Sequence, residues 1–437
     1  MSAIAEVLVS MGHTVSGSDL KASSGLDRLA ALGVDVRVGH LADQVGEAAV
    51  VTRSTAVPDR NPECRAAIER GIPLYSRPEV LGAISVLRDT IAVAGTHGKT
   101  TTSSMLALVL REAGLRPSFI IGGDVNEIGT GAAWDDGDLL VVEADESDGS
   151  FLELSARFGL VTNLEPDHLE HHGGFDPLLE AFDRFVEAVD GPVVVGVDDL
   201  EGAALATRHG TATVGTSEGS DWHLSGVEES WEGVRFTLSG PVTGAFDLEL
   251  PVPGLHNARN AAAAAAVAVL AGAVPESVAG ALARFGGVAR RFEHRGQVAG
   301  VVLVDDYAHL PTEVRAVLAT ARSGGFNRVV AVFQPHRFSR TEALWSFFGS
   351  AFDDADVLYV TDVYPSGEAP RPGVSGRLVA DAVVRDRPGA DVRYVARREE
   401  LLDALVGELR DGDLCLTMGA GDLTAVPDQL RTRLGVS

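Results

Sequence analysis

A chain of 437 residues with a formal charge of −26 and two cysteines is long enough for about three domains, each with an adequate core. That charge excludes nucleic acid and anionic membranes as partners, since both are themselves negative. Cys64 and Cys415 lie too far apart to suggest a disulfide or metal pattern, and without a signal peptide or an apolar run of about 18 residues the chain is expected to be soluble and cytoplasmic.

From the N-terminus the hydrophobic pattern alternates. MSAIAEVLVSMG reads as an amphipathic helix, HTVSGSD as a strand, GLDRLAALG as a helix, VDVRVG and AAVVTRST as strands, and NPECRAAIERG as a helix. Such alternation predicts a parallel sheet with crossover helices, a Rossmann-like domain over residues 1–87. A doubly wound domain ordinarily opens on a strand and a glycine-rich turn, whereas here a helix comes first, so either that strand is lacking or the sequence starts late. Ser18 and Asp19 close one predicted strand, and Ser54 and Thr55 another, at the carboxyl edge where such sheets bind ligands. The competing reading makes them turn and capping residues.

The rest of the chain is organised around residues 91–105, IAVAGTHGKTTTSSM. An apolar strand ends in a glycine-bounded loop, and a row of Thr and Ser opens a helix. Gly95, Thr96, His97 and Gly98, followed by Lys99, Thr100 and Thr101, thus form a candidate phosphate cradle of backbone N–H groups and a helix N-terminus. Lys99 adds positive charge and Thr100 offers a hydroxyl to a metal ion. Val93 stands where the first glycine of the eight-residue phosphate-loop pattern would be, leaving GxxGKT. Of 36 basic residues only Lys21 and Lys99 are lysines. A compact ammonium suits a tight loop that a guanidinium would not fit; the alternative is a leftover surface lysine.

The central domain is predicted over residues 88–293. LLVVEADESD is a strand ending in four carboxylates, and GLVTNLEPDHLEHH another running into Asp167, His168, His171 and His172. Carboxylates at strand ends beside a phosphate loop are where Mg²⁺ ligands belong, so Glu143 is the first candidate and His168 the second, although imidazole is softer than Mg²⁺ prefers. WHLSGVEES, GVRFTLSG and AFDLELP suggest a small antiparallel meander at the domain edge. PGLHNARNAAAAAAVAVLAG is too alanine-rich for a polar face and should be a buried helix, with Asn257 and Asn260 either capping it or contacting a base. Arg290, Arg291 and Arg295 crowd an apparent hinge, where an arginine can reach a transferring phosphoryl group or form a structural ion pair.

From residue 294 to 437 strands and helices alternate again, with VVLVDDYAH, ADVLYVTDVYP and DLCLTMGAGD as strands, NRVVAVFQPHRFSR as a strand and loop, and Pro311 opening a helix. This is a second Rossmann-like unit. Asp305, Asp306, Tyr307 and His309, then His336, Arg337 and Arg340, then Asp362, gather at strand ends and predict a ligand crevice.

Together, GTHGKTTT, EADESD, TNLEPDHLE, GLHNARNAAAA, GVARRFE, DDYAHLPTEV, QPHRFSRT, GVSG and GAGD resemble, in order and over essentially the whole chain, the Mur ligase family. The resemblance implies an α/β fold of three domains: a Rossmann-like domain for a UDP sugar, a central phosphate-loop ATPase domain whose mostly parallel sheet carries a small antiparallel one, and a Rossmann-like domain for the amino acid. It implies ATP and Mg²⁺ as cofactors, UDP-N-acetylmuramate and L-alanine as substrates, and a monomer or homodimer that activates a carboxylate as an acyl phosphate. In that scheme Lys99 bridges the β- and γ-phosphates, Thr100 and Glu143 hold Mg²⁺, and His168 helps place a second ion. Asn257 meets adenine, and Arg291 and Asp306 meet the nucleotide. Tyr307, His309, His336 and Arg337 match positions near the amino acid, and Ser18, Asp19, Ser54 and Thr55 match uridine contacts.

Three departures stand out. Family members carry a strand and a glycine-rich loop before the stretch matching MSAIAEVL, so the true start is expected upstream of Met1. No lysine follows His168 to serve, carbamylated, at a second metal. Leu310 replaces the second histidine of a DYxHHP run. A ligase that attaches a tripeptide to the same sugar, a phosphate-loop NTPase switch and an inactive truncated product remain as alternative readings.

Overall fold

The structure, a computed structural model, describes residues 1–146, 149–167 and 172–435. By contacts the chain forms two units. One comprises Met1–Gly226, Phe236–Glu249 and Arg259–Phe285; the other comprises Val227–Arg235, Leu250–Ala258 and Gly286 to the C-terminus.

In the first unit, helix Ser2–Ser10 comes first, and the early strands β1 (Ser16–Asp19), β2 (Asp35–Val38), β3 (Val51–Arg53) and β4 (Leu74–Ser76) come after it. The alternation predicts parallel strands, and parallel they are, but as two separate pairs, β1 with β2 and β3 with β4. Part of this stretch also packs against the central sheet described next. Ile4 and Val7 of the first helix, with Leu81 and Ile84, are buried in the same core as that sheet. Glu6, almost wholly buried, accepts from Arg28 Nη2 at 2.7 Å and from Thr130 Oγ1 at 2.9 Å, which ties that helix to its neighbours.

The central sheet is built from β5 (Asp89–Ala94), β6 (Ser118–Val125), β7 (Thr130–Ala133), β8 (Leu139–Glu143), β9 (Ala156–Val161), β10 (Val193–Gly196), β11 (Ala212–Gly215), β12 (Trp222–Ser230), β13 (Gly233–Gly240) and β14 (Gly244–Leu250). Among the described residues its order is β14-β13-β12-β11-β10-β9-β5-β8-β6-β7. β5 lies between β8 and β9, parallel to both, and its residues 90–94 are fully buried because helices cover both faces of a parallel sheet. β12, β13 and β14 extend this sheet at one edge as the predicted meander, joined by connections too short for a parallel crossover. Helix Leu255–Leu270 carries the alanine run, with Ala258 and Ala261 to Ala266 buried as its composition requires.

The second unit holds a six-stranded sheet in the order β15-β16-β20-β17-β18-β19: Glu293–Val298, Val301–Asp306, Asp413–Met418, Arg328–Phe333, Val357–Val360 and Asp391–Tyr394. All neighbours are parallel except β15 with β16. One face packs Val314, Leu318, Phe352 and Val383; the other packs Leu401, Leu405, Val426 and Leu430. Helices on both faces make this the doubly wound unit expected, and each fully buried aliphatic or Phe side chain contributes about 1.5–3 kcal/mol to it.

Candidate nucleotide and substrate sites

β5 runs into Gly95 to Gly98, and helix Lys99–Glu112 begins at once. Two glycines make the turn possible. Gly95 has φ of +124° and Gly98 of +78°, and a Cβ would come within 2.1 Å of Thr162 Oγ1 at the first and 2.4 Å of Asn260 Oδ1 at the second. Thr162 to Glu165, just beyond β9, lock the loop from outside. Asn163 accepts from the His97 N–H at 2.9 Å and donates to the His97 carbonyl at 3.0 Å. Thr162 Oγ1 donates to the same carbonyl at 2.6 Å, and Thr96 Oγ1 exchanges hydrogen bonds with the backbone of Glu165. Sequence alone presents TNLE only as the approach to Asp167 and His168, and the clamp is missed. The polar Thr-Asn pair directly after a buried strand is the available signal.

Lys99 does not project freely. Its ammonium donates to the Gly95 carbonyl at 2.7 Å, to the Thr96 carbonyl at 3.3 Å and to Glu146 Oε2 at 2.6 Å. Burial works against its charge, but the carboxylates of Glu146, Asp145 and Glu143 outweigh that and hold its pKa above the ordinary value. Burial pushes Glu146 up to about 7 against the pull of Lys99. Glu146 belongs to the EADESD run, of which the sequence singles out Glu143 alone.

Glu143 closes β8 beside the loop. Its Oε1 accepts from Thr100 Oγ1 at 2.9 Å and its Oε2 from the Gly122 N–H at 2.6 Å. Two of the three predicted metal ligands are thus in contact, and a hydroxyl with a carboxylate is the hard oxygen donor set that suits Mg²⁺. His168 and His171 lie outside the described residues. Glu143 and Asp145 also border a cleft of about 310 Å³, whose other walls include the start of helix Ser2–Ser10, Arg28, Arg77 and Gly122 to Asp124.

The uridine candidates are held locally. Ser18 Oγ donates to Glu63 Oε2 at 2.7 Å and lies 2.8 Å from His40 Nδ1, neither of which the sequence singles out. Asp19 accepts from the Lys21 N–H, and Ser54 Oγ from the Ala56 N–H, the turn geometry of the competing reading. Ser54 and Thr55 come immediately after β3.

In the second unit the predicted residues converge. The ring centroids of Tyr307 and His309 are 5.5 Å apart, those of His309 and His336 5.7 Å, and His336 stacks on Tyr364 at 5.8 Å and 9°. The guanidiniums of Arg290 and Arg291 lie 4.8 and 5.0 Å from the Tyr307 ring centroid. Asp306, at the end of β16, accepts from the Phe292 and Ala308 N–H groups at 2.7 and 2.6 Å, and burial raises its pKa to about 6 despite Arg291. Burial, then His309, Arg340 and Arg337, lowers His336 to about 3, so its imidazole is neutral. Arg337 sits in the left-handed region at φ of +66°, its N–H bonded to the Tyr364 carbonyl at 2.8 Å. Tyr364 is the residue that sequence reasoning misses here. Arg295 forms ion pairs with Glu293 and Asp428, the structural alternative. Asn257, also in this unit, donates to the Pro253 carbonyl at 2.7 Å, a local bond but not the accepting contact that caps a helix N-terminus.

The chain is similar to known proteins along nearly its whole length. Residues 1–88 match the Mur ligase family catalytic domain, 93–268 the Mur ligase middle domain and 290–421 the Mur ligase glutamate ligase domain. The UDP-N-acetylmuramate--L-alanine ligase of Nitratidesulfovibrio vulgaris is 46% identical over 98% of this chain and 94% of its own length. That of Myxococcus xanthus is 44% identical over 98% and 92%. Among solved structures, the UDP-N-acetylmuramate-alanine ligase MurC of Thermotoga maritima aligns with a TM-score of 0.84 and 30% identity, covering 99% of this chain and 96% of that one. A murein peptide ligase from Psychrobacter arcticus, at 0.72 and 23% over 100% and 96%, shares the fold. With a glycine-bounded lysine loop, a Thr-carboxylate pair beside it and relatives of this identity over nearly its whole length, the chain belongs to the Mur ligase family.

Proposed function

We infer that the chain joins L-alanine to the lactyl carboxylate of UDP-N-acetylmuramate at the expense of ATP, in cytoplasmic peptidoglycan precursor synthesis. Full-length relatives supply the substrate assignment. The observation that carries the chemistry is the loop in which a buried ammonium and a Thr100–Glu143 oxygen pair stand side by side.

Two anions must meet in this reaction, so the protein has to concentrate positive charge where they touch. Lys99 and the loop N–H groups bind the β- and γ-phosphates, with His97 held in place by Asn163. Thr100 and Glu143 would hold Mg²⁺, which neutralises phosphate charge when bound; His168 is assigned to a second ion. The sugar carboxylate attacks the γ-phosphorus, the bond to the ADP oxygen breaks, and the alanine amine then displaces phosphate from the acyl carbon. We assign residues 1–87 to the UDP sugar, with Ser18, Asp19, Ser54 and Thr55 at uridine, 88–293 to ATP and 294–437 to alanine. Tyr307, His309, His336 and Arg337 surround the amino acid, whose carboxylate suits an arginine clamp. Asn257 is assigned to adenine, and Arg291 and Asp306 to the nucleotide.

Phosphate release measured with UDP-N-acetylmuramate, Mg-ATP and either L-alanine or a tripeptide tests this. L-Alanine should support turnover and the tripeptide should not. The opposite pattern would assign the chain to peptide recycling.

A further inference from the structure

The Lys99 ammonium has three N–H donors, and all three are already engaged. Two go to carbonyls of the loop itself, which the Thr162–Glu165 clamp holds in position. The third goes to Glu146, three residues beyond Glu143 and almost wholly buried. Only one oxygen of that carboxylate reaches the lysine. Oε1 is buried and has no hydrogen-bond partner among the described residues. Any phosphate that takes the ammonium must displace one of its three acceptors, and Glu146 is the only one not fixed to the loop backbone.

We propose that Glu146 is a built-in competitor of the nucleotide, occupying the Lys99 ammonium in the empty loop and giving it up when a β-phosphate arrives. The proposal rests on the reading that Lys99 grips phosphate. A buried ion pair with half of one partner unsatisfied gains little net stability, because desolvation offsets most of the attraction. Such a contact is suited to being exchanged. It keeps the ammonium paired while the loop is empty, and it subtracts from nucleotide affinity the free energy of breaking the pair. Burial, which already favours the neutral carboxyl, lowers the cost of leaving Glu146 behind without its partner.

The test is a four-variant cycle on the full chain, with ADP and AMP affinities measured by calorimetry for wild type, Glu146→Gln, Lys99→Ala and the double variant. Glu146→Gln should bind ADP about tenfold more tightly, the scale of a charged hydrogen bond weakened to a neutral one. AMP, which lacks a β-phosphate, should change less than twofold. In the Lys99→Ala background the tightening should vanish. Glu146→Asp, one methylene shorter, should tighten ADP in the same direction and serves if the glutamine variant folds poorly. Unchanged or weaker ADP binding by both Glu146 variants overturns the proposal, and so does a tightening that persists without Lys99, since the carboxylate would then act by plain repulsion. If Lys99→Ala leaves ADP affinity intact, the failure lies instead with the phosphate-loop reading.

Discussion

The glycine-bounded loop and the rim of the second unit both hold charged groups in fixed positions, by different means. The loop is fixed by backbone geometry: two left-handed glycines, a Thr-Asn clamp after β9 and an ammonium with every donor engaged. The rim is fixed by rings. Tyr307, His309, His336 and Tyr364 pack in sequence, with two guanidiniums against the Tyr307 ring and non-glycine residues Arg290, Phe292 and Arg337 at positive φ. Under the proposed function the first arrangement leaves a phosphate cradle no side-chain adjustment, whereas the second lets an amino-acid site be tuned by what lines it.

Removing the charge from the loop is the harshest challenge to that distinction. Lys99→Ala should lower turnover by about 10²-fold or more, the range for loss of a preorganised electrostatic donor, with the thermal midpoint little changed. An effect under threefold would refute the assignment. Crowding the loop comes next. Gly98→Ala forces a Cβ against Asn260 and into a left-handed backbone, a strain of about 1–3 kcal/mol, so nucleotide affinity should fall by roughly 5- to 100-fold. Asn260→Ala in the same chain should restore part of the loss, and no restoration would show that backbone conformation alone is limiting.

The rim should respond more gently and more selectively. His336→Ala should raise the KM for L-alanine about tenfold, a change of about 1.4 kcal/mol, and leave ATP binding intact; equal loss of both would contradict its placement. Acidification should have the mildest effect. The His336 pKa is about 3 in the folded chain against an ordinary 6.5, so between those values the unfolded chain binds the extra proton and stability falls as pH drops. His336→Phe, which keeps a ring against Tyr364, should therefore lose less stability between pH 7 and 5 than wild type, measured as urea midpoints. An equal loss would mean that the imidazole is already solvated.

Much of this is legible in the sequence for a local reason. An apolar run, a glycine and a row of hydroxyls specify strand, turn and helix within residues 91–105, and the structure places β5, the loop and helix Lys99–Glu112 there. The pairing of Thr100 with Glu143 can be anticipated because each stands beyond or at the end of its own strand. What stays hidden depends on contacts distant in the chain. His97 and Asn163 are 66 residues apart, Lys99 and Glu146 are 47 apart, and no periodicity links either pair. The division of the early strands into two separate pairs is likewise a matter of partner choice, which alternation does not encode. Asn257 and Asn260 look alike in sequence, yet Asn257 binds the Pro253 carbonyl and Asn260 stands against Gly98.

If the loop activates the sugar carboxylate by giving it the γ-phosphoryl group, the oxygen that bridges carbon and phosphorus must come from the sugar. UDP-N-acetylmuramate labelled with ¹⁸O in the lactyl carboxylate, turned over with Mg-ATP and L-alanine, measures this directly. The released phosphate should carry one labelled oxygen, because the carboxylate oxygen that attacks phosphorus leaves with it when the amine arrives. Phosphate free of label would mean that the oxygen came from water and that no acyl phosphate forms.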